Sequence, residues 1–181
     1  MPNVKNIFLT GRPGVGKTTV ILRVVELLDF DVGGFTTREM RRDGGRIGFR
    51  IEDLEGNGAV MAHVHTPSPL KVGRYGVDAG AVELVGVRAV RQAVAMGRPV
   101  IVDEAGRMEL AVPAFVRALQ TALDAPAPVL GTMHRRRDPV TNAIRARADT
   151  TVIEVTRANR DELPGRLSGM LRDALGRPDA S

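Results

Sequence analysis

The chain has no cysteine and no tryptophan, and it carries a single tyrosine, five phenylalanines and three histidines. Without cysteine there are no disulfides, no thiolate metal site and no cysteine nucleophile. With so few aromatic rings there is little material for stacking the bases of a single strand, which disfavours nucleic acid as a partner. His63 and His65 are read as sharing one strand face and His134 as isolated, so no zinc site is expected. Lysine is also scarce: only Lys5, Lys17 and Lys71 stand against twenty-three arginines. The net charge of +5 is scattered along the chain and reads as a compositional bias toward arginine. No apolar run is long enough to span a bilayer, and the start lacks the apolar segment of a secretory leader. The expectation is a cytoplasmic chain that uses no membrane. Its 181 residues suit one domain, with no repeat, linker or low-complexity segment.

Against that scarcity of lysine, one lysine stands in a complete phosphate-binding loop. Gly11-Arg12-Pro13-Gly14-Val15-Gly16-Lys17-Thr18 has the form G-x-x-x-x-G-K-[ST]. At this chain's residue frequencies the pattern arises by chance on the order of 0.003 times. Gly11, Gly14 and Gly16 permit left-handed turns, which let backbone N–H groups converge on phosphate oxygens. Lys17 would reach the β- and γ-phosphates, and the Thr18 hydroxyl would ligate Mg²⁺. Residues 11–19, through Thr19, are the candidate nucleotide-binding segment. Asn6–Thr10 reads as the strand before the loop. Val20, Ile21, Val24, Val25, Leu27 and Leu28 recur at helical spacing after it.

The period then changes. Residues 34–65 alternate as strands, with a first strand at 35–41 and two more joined through Asp43-Gly44-Gly45 and Gly56-Asn57-Gly58. This predicts an antiparallel β-meander inserted into an α/β chain. Pro67, Pro69, Gly73 and Gly76 predict a loop after it. Helices are expected over 81–96, 113–123 and 138–147, and strands at 100–102, 129–132 and 152–155. A last helix carries Leu163, Leu167, Met170, Leu171 and Leu175 on one face. Asn159 with Glu162 resembles a capping box for it, with Pro164 in the first turn. The tail 176–181 is expected to fray.

The strand Val100-Ile101-Val102 ends in Asp103-Glu104. In a phosphate-loop protein this is a Walker B strand: Asp103 for Mg²⁺, Glu104 to orient or deprotonate a water. No Asn-Lys-x-Asp signature for guanine is present.

Together with Gly11–Thr19, the stretch Ile101-Val102-Asp103-Glu104-Ala105-Gly106-Arg107-Met108-Glu109-Leu110 resembles the THEP-type nucleoside-triphosphatases. Further matching segments are Gly34–Thr37, Arg46–Phe49, Val72–Asp78, Leu130–Thr132 and Val155–Arg160. The likeness runs from about residue 5 to 172. Ala105 and Arg107 stand where the family commonly has Ile and Lys. The resemblance implies a RecA-like P-loop fold, a mainly parallel sheet flanked by helices. It also implies hydrolysis of several nucleoside triphosphates.

Other candidates are Thr132, as a γ-phosphate sensor or a strand-end turn residue, and Arg38, Arg74 and Arg107 as an internal arginine finger. Glu109 is read as a partner of Arg107. Arg135-Arg136-Arg137 reads as a solvated run, or as the rim of the site. The leading function is Mg²⁺-dependent hydrolysis of ATP, GTP, CTP and UTP, with Lys17, Glu104 and Arg107 as catalytic candidates. The alternatives are a small-molecule or nucleotide kinase, with the meander as acceptor platform, and a nucleic-acid-linked ATPase or switch. The sequence names no protein partner.

Overall fold

The computed structural model describes residues 4–177. Its centre is a nine-stranded sheet. Strands β1 (Asn6–Thr10), β2 (Gly33–Arg42), β7 (Val100–Ala105), β8 (Val129–Met133) and β9 (Thr150–Glu154) form a parallel half in the order β2-β7-β8-β1-β9. Strand β8 therefore lies between the strand that leads into the phosphate loop and the strand that carries Asp103. That interposed strand is the arrangement a RecA-like fold requires.

Strand β2 belongs to two sheets' worth of pairing. Gly33–Thr36 run parallel to Val100–Asp103, while Phe35–Arg42 pair antiparallel with β3 (Gly45–Asp53). Strand β4 (Gly58–His63) follows in the expected meander. The meander does not stop there. Residues read as a loop contain β5 (Lys71–Val72) and β6 (Tyr75–Val77), and β6 pairs with β4 to extend the sheet. Strands of two and three residues show no alternation, and the turn at Gly73 masks them. His65 lies past the end of β4, so the two histidines do not share a strand face. The backbone N–H of His65 instead donates to His63 Nδ1 at 3.1 Å.

Alternation along the parallel strands builds two cores. Ile7, Leu9, Ile101 and Leu130 face α1 (Lys17–Leu27) and the last helix, α5 (Leu163–Ala174). Phe8, Val100, Val102, Val129 and Met133 face the other layer. That layer is α2, a continuous helix over 79–95 with a π-helical segment Val82–Val87, and α3 (Pro113–Asp124). Phe35 and Phe115 meet edge to face at 5.6 Å within it. Each fully buried aromatic or aliphatic side chain contributes on the order of 1.5–3 kcal/mol. Asn6, buried at the start of β1, satisfies both ends of its amide: Nδ2 donates to Leu123 O and Oδ1 accepts from the Val129 N–H.

One helix carries a capping box, and the last lacks the one expected for it. α4 (Pro139–Ala146) starts from a capping box in which the Asp138 carboxylate accepts from the Val140 and Thr141 N–H groups. Asn159 does not cap α5. Its Oδ1 accepts from the Thr156 N–H and its Nδ2 donates to Glu154 O, shaping the turn after β9. Gly176 and Arg177, the described part of the tail expected to fray, are held in place. Gly176 adopts φ 65°, the Arg177 N–H donates to Arg172 O, and the Arg177 guanidinium lies over Phe30. The remainder of the tail, 178–181, lies outside the described residues.

Candidate active site

The turn from β1 into α1 is left-handed at Gly11 (φ 153°), Gly14 (φ 73°) and Gly16 (φ 111°). A Cβ on Gly11 would stand 2.8 Å from Val155 O, so the loop is pressed against the end of β9. Arg160 braces it from the same side, its Nη1 donating to Val15 O at 3.3 Å. Among the described residues Lys17 Nζ makes only long hydrogen bonds, at 3.4 Å to Gly11 O and 3.5 Å to Arg12 O. Bonds that long hold little energy, so the ammonium is free to turn to a better acceptor. Thr19 is exposed on α1 and lies outside the cleft lining.

The end of β7 faces this loop. Thr36 stands opposite Asp103 in the neighbouring strand, and the pairing of β7 with β8 shifts register between Val102 and Ala105. Asp103 is 2% exposed. Thr132 Oγ1 donates to its Oδ1 at 2.6 Å, while its Oδ2 is buried without a hydrogen-bond partner. Burial pushes the Asp103 carboxyl above the ordinary range; Thr132, Thr18 and the Lys17 charge pull it back. An orphaned carboxylate oxygen next to a hydroxyl is a hard oxygen donor pair of the kind a divalent cation takes. Thr132 itself is fully buried, and its hydroxyl orients Asp103.

Burial also raises Glu104, with Lys17 opposing the shift and Asp103 adding to it. Behind it lies Glu109, 2% exposed and pushed up to about 8, first by burial and then by the Glu104 charge. Gly106 makes room for both: a Cβ there would stand 2.7 Å from Glu104 Oε1 and 2.8 Å from Glu109 Oε2. Sequence reasoning missed this pairing of glutamates. Among the described residues Glu109 makes no ion pair with Arg107: Glu109 is buried, whereas Arg107 is exposed. The signal available was the small residue between two acids.

A cleft of about 550 Å³ joins these groups. Gly11, Pro13, Gly14, Lys17, Thr18, Asp103, Glu104, Arg107 and Glu109 line one end. Of the three arginine-finger candidates only Arg107 lines it. Arg38 pairs with Glu52 at 3.2 Å, and Arg74 stacks on Tyr75 at 5.3 Å. His134 is not isolated. Its Nε2 lies 3.0 Å from Asp138 Oδ2 without a hydrogen bond, and with Arg135 and Arg136 it rims the cleft. A second recess of about 530 Å³ lies on the β9 side of the loop, between residues 12–15 and 154–157.

Comparisons with known proteins agree with this arrangement. The family described as NTPase matches residues 6–168. The chain is 40% identical to the nucleoside-triphosphatase THEP1 of Thermofilum pendens, over 96% of this chain and 98% of that one. It is 44% identical to that of Methanopyrus kandleri, over 90% and 92%. Among solved structures, THEP1 from Aquifex aeolicus superposes with a TM-score of 0.80 at 32% identity, covering 90% of this chain and 96% of that chain. A human cancer-related nucleoside triphosphatase gives the same score and identity, covering 94% and 98%. With a phosphate loop facing two carboxylates across an interposed strand, and with these matches over nearly its whole length, the chain belongs to the NTPase family of THEP-type proteins.

Proposed function

We propose that this protein hydrolyses nucleoside triphosphates to the diphosphate and phosphate, in a Mg²⁺-dependent reaction with broad base tolerance. The observation that carries the reading is the Asp103–Glu104 pair, brought to the phosphate loop with one Asp103 oxygen unpartnered.

The loop amides and the N-terminus of α1 would hold the β- and γ-phosphates. Lys17, held only by long contacts to carbonyls, would turn onto them and compensate charge as the γ-phosphoryl departs. Thr18 and Asp103 have the donors to hold Mg²⁺, which would neutralise phosphate charge when bound. Thr132 keeps the Asp103 carboxylate aimed there. Glu104 would accept the proton of the attacking water. Its upward shift by burial moves it toward the pH at which a general base works best. Glu109, its carboxyl pushed up to about 8 by burial, would back Glu104 with less negative charge than an ordinary carboxylate brings. Arg107, exposed on the rim, is placed to meet charge on the outer phosphate oxygens. The recess by residues 154–157 would take the base.

The test is phosphate release from ATP, GTP, CTP and UTP by the purified protein with Mg²⁺ and with EDTA. Turnover of all four that stops with EDTA supports the reading. Equal rates with EDTA would remove the metal from it, and no turnover would remove the reading.

A further inference from the structure

The cleft is longer than its phosphate end requires. Its far wall is built from the meander: Thr37, Glu39, Arg46, Phe49, Met61 and Tyr75. The recess suited to a base lies at the opposite, β9 edge of the sheet. A nucleotide on the loop would therefore run away from the meander and leave that wall uncovered.

The wall is an organised one. Arg46 Nε donates to the Tyr75 hydroxyl at 3.1 Å, and its Nη1 to Glu39 at 2.7 Å. Its guanidinium lies over Phe49 at 5.2 Å and over Tyr75 at 5.9 Å, and the two rings meet edge to face at 5.3 Å. Arg74 stacks on the outer side of Tyr75 and donates to the Arg46 carbonyl. These contacts fix the guanidinium while Nη2 makes no hydrogen bond or ion pair among the described residues. The two N–H groups of Nη2 are left to donate to a carboxylate or phosphate oxygen. Arg107, Arg135 and Arg136 stand on the rim of the same cleft. Hydrolysis by water asks for none of this.

We propose that the meander wall binds a small hydroxyl-bearing anion, a phosphomonoester or carboxylate, and presents its hydroxyl to the γ-phosphoryl as an alternative to water. The inference rests on the reading that the loop holds a nucleoside triphosphate. In the transfer step the acceptor oxygen forms a bond to the γ-phosphorus. The bond from that phosphorus to the β,γ-bridging oxygen breaks, and its electron pair leaves with the diphosphate. The hydroxyl proton passes to the Glu104 carboxylate. Acceptor anion and phosphoryl group balance as the phosphorylated acceptor.

The experiment uses [γ-³²P]ATP, Mg²⁺ and the whole protein with millimolar glycerol 3-phosphate, glycerate or ribose 5-phosphate. Glycerol and ribose serve as the neutral counterparts. Label is followed in the organic product and in inorganic phosphate. The expected result is labelled product from at least one anion, with a transfer-to-hydrolysis ratio at least tenfold above its neutral counterpart. Arg46→Gln lowers that ratio at least tenfold by raising the acceptor KM, and Tyr75→Phe lowers it about threefold. Arg91→Gln, on the exposed side of α2, retains the ratio. Label in inorganic phosphate alone overturns the inference while leaving hydrolysis standing. So does equal transfer to neutral alcohols, or a ratio unmoved by both wall variants. Absence of any ATP turnover overturns the hydrolytic reading, and this inference with it.

Discussion

At the phosphate end of the cleft the acids are buried and undercompensated; at the meander end they are paired and wet. Asp103, Glu104 and Glu109 are all raised by burial, and Asp103 keeps an oxygen with no partner. Glu39, by contrast, accepts from both Arg41 and Arg46 and titrates low. Buried polar groups without partners are costly, so a fold retains them where a ligand completes them. Exposed ion pairs contribute about 0–1 kcal/mol each, and their use here is to hold Arg46 still. One end is thus incomplete without its ligand, and the other is complete before any arrives.

That contrast breaks first at Lys17. Removing the loop's own cation from the incomplete end, by Lys17→Ala, is expected to lower kcat for ATP hydrolysis by about 10³-fold or more. Phosphate release by matched preparations of variant and parent measures it. Similar rates would show that the compensation comes from elsewhere in the cleft, with the rim arginines the next to test.

Within the incomplete end, the two carboxylates of β7 are expected to separate. Glu104→Gln should slow turnover about 10²-fold, the effect of losing a general base, with little change in affinity for the Mg²⁺–nucleotide complex. Asp103→Asn should weaken that affinity and raise the Mg²⁺ concentration needed for half-maximal rate. Equilibrium binding of a non-hydrolysable triphosphate across a Mg²⁺ titration distinguishes them. An equal loss of affinity in both variants would end this division of labour.

How far the sequence carries these roles depends on how local each one is. The loop at 11–18 and the β7 carboxylates are legible because motif, apolar run and helix are contiguous. The contact of Thr132 with Asp103 is not, since it depends on β8 lying between β1 and β7 with Leu9 opposite Thr132. Arg46 and Tyr75 are twenty-nine positions apart and meet only because β3, β4 and β6 pair in order. The β5–β6 hairpin that carries Tyr75 is too short to show a period. Glu109 is visible in the motif, but its burial behind Gly106 is a property of the packed turn.

Glu109 sharpens the comparison through stability. Its carboxyl is pushed from about 4.5 in the unfolded chain up to about 8 in the fold, first by burial. Between those values the unfolded chain has released the proton and the folded chain retains it. Folding stability from this group therefore falls as pH rises across that window, by at most about 1.4 kcal/mol per pH unit. Glu109→Gln cannot titrate. Its denaturation midpoint should fall less than the parent's between pH 5.5 and 7.5. Parallel midpoints across that range would mean that Glu109 is charged in the fold, and that the acidic end is more solvated than its burial indicates.

The smallest expected effect concerns the third region, the recess between residues 12–15 and 154–157, which resembles neither end of the cleft. It is lined by Arg12, Pro13, Gly14, Val15, Glu154, Val155, Thr156 and Arg157, without an aromatic ring. The rings of the site, Phe49 and Tyr75, are on the meander instead. Strong discrimination between bases needs buried polar groups matched to one base edge, so that the wrong base leaves them unpaired. Here Arg12, Glu154, Thr156 and Arg157 are all exposed, and water can satisfy whatever a base does not. The loop meanwhile would read the polyphosphate, which every nucleoside triphosphate shares. The kcat/KM values for ATP and GTP should therefore differ by less than about tenfold, or about 1.4 kcal/mol. Arg157→Ala should shift all four nucleotides together and leave their order unchanged. Measurement of the four ribonucleoside triphosphates at one Mg²⁺ concentration decides it. A hundredfold preference for one purine would require a base-reading group outside this recess. The meander wall, with its rings and its fixed guanidinium, would then be the place to look for it.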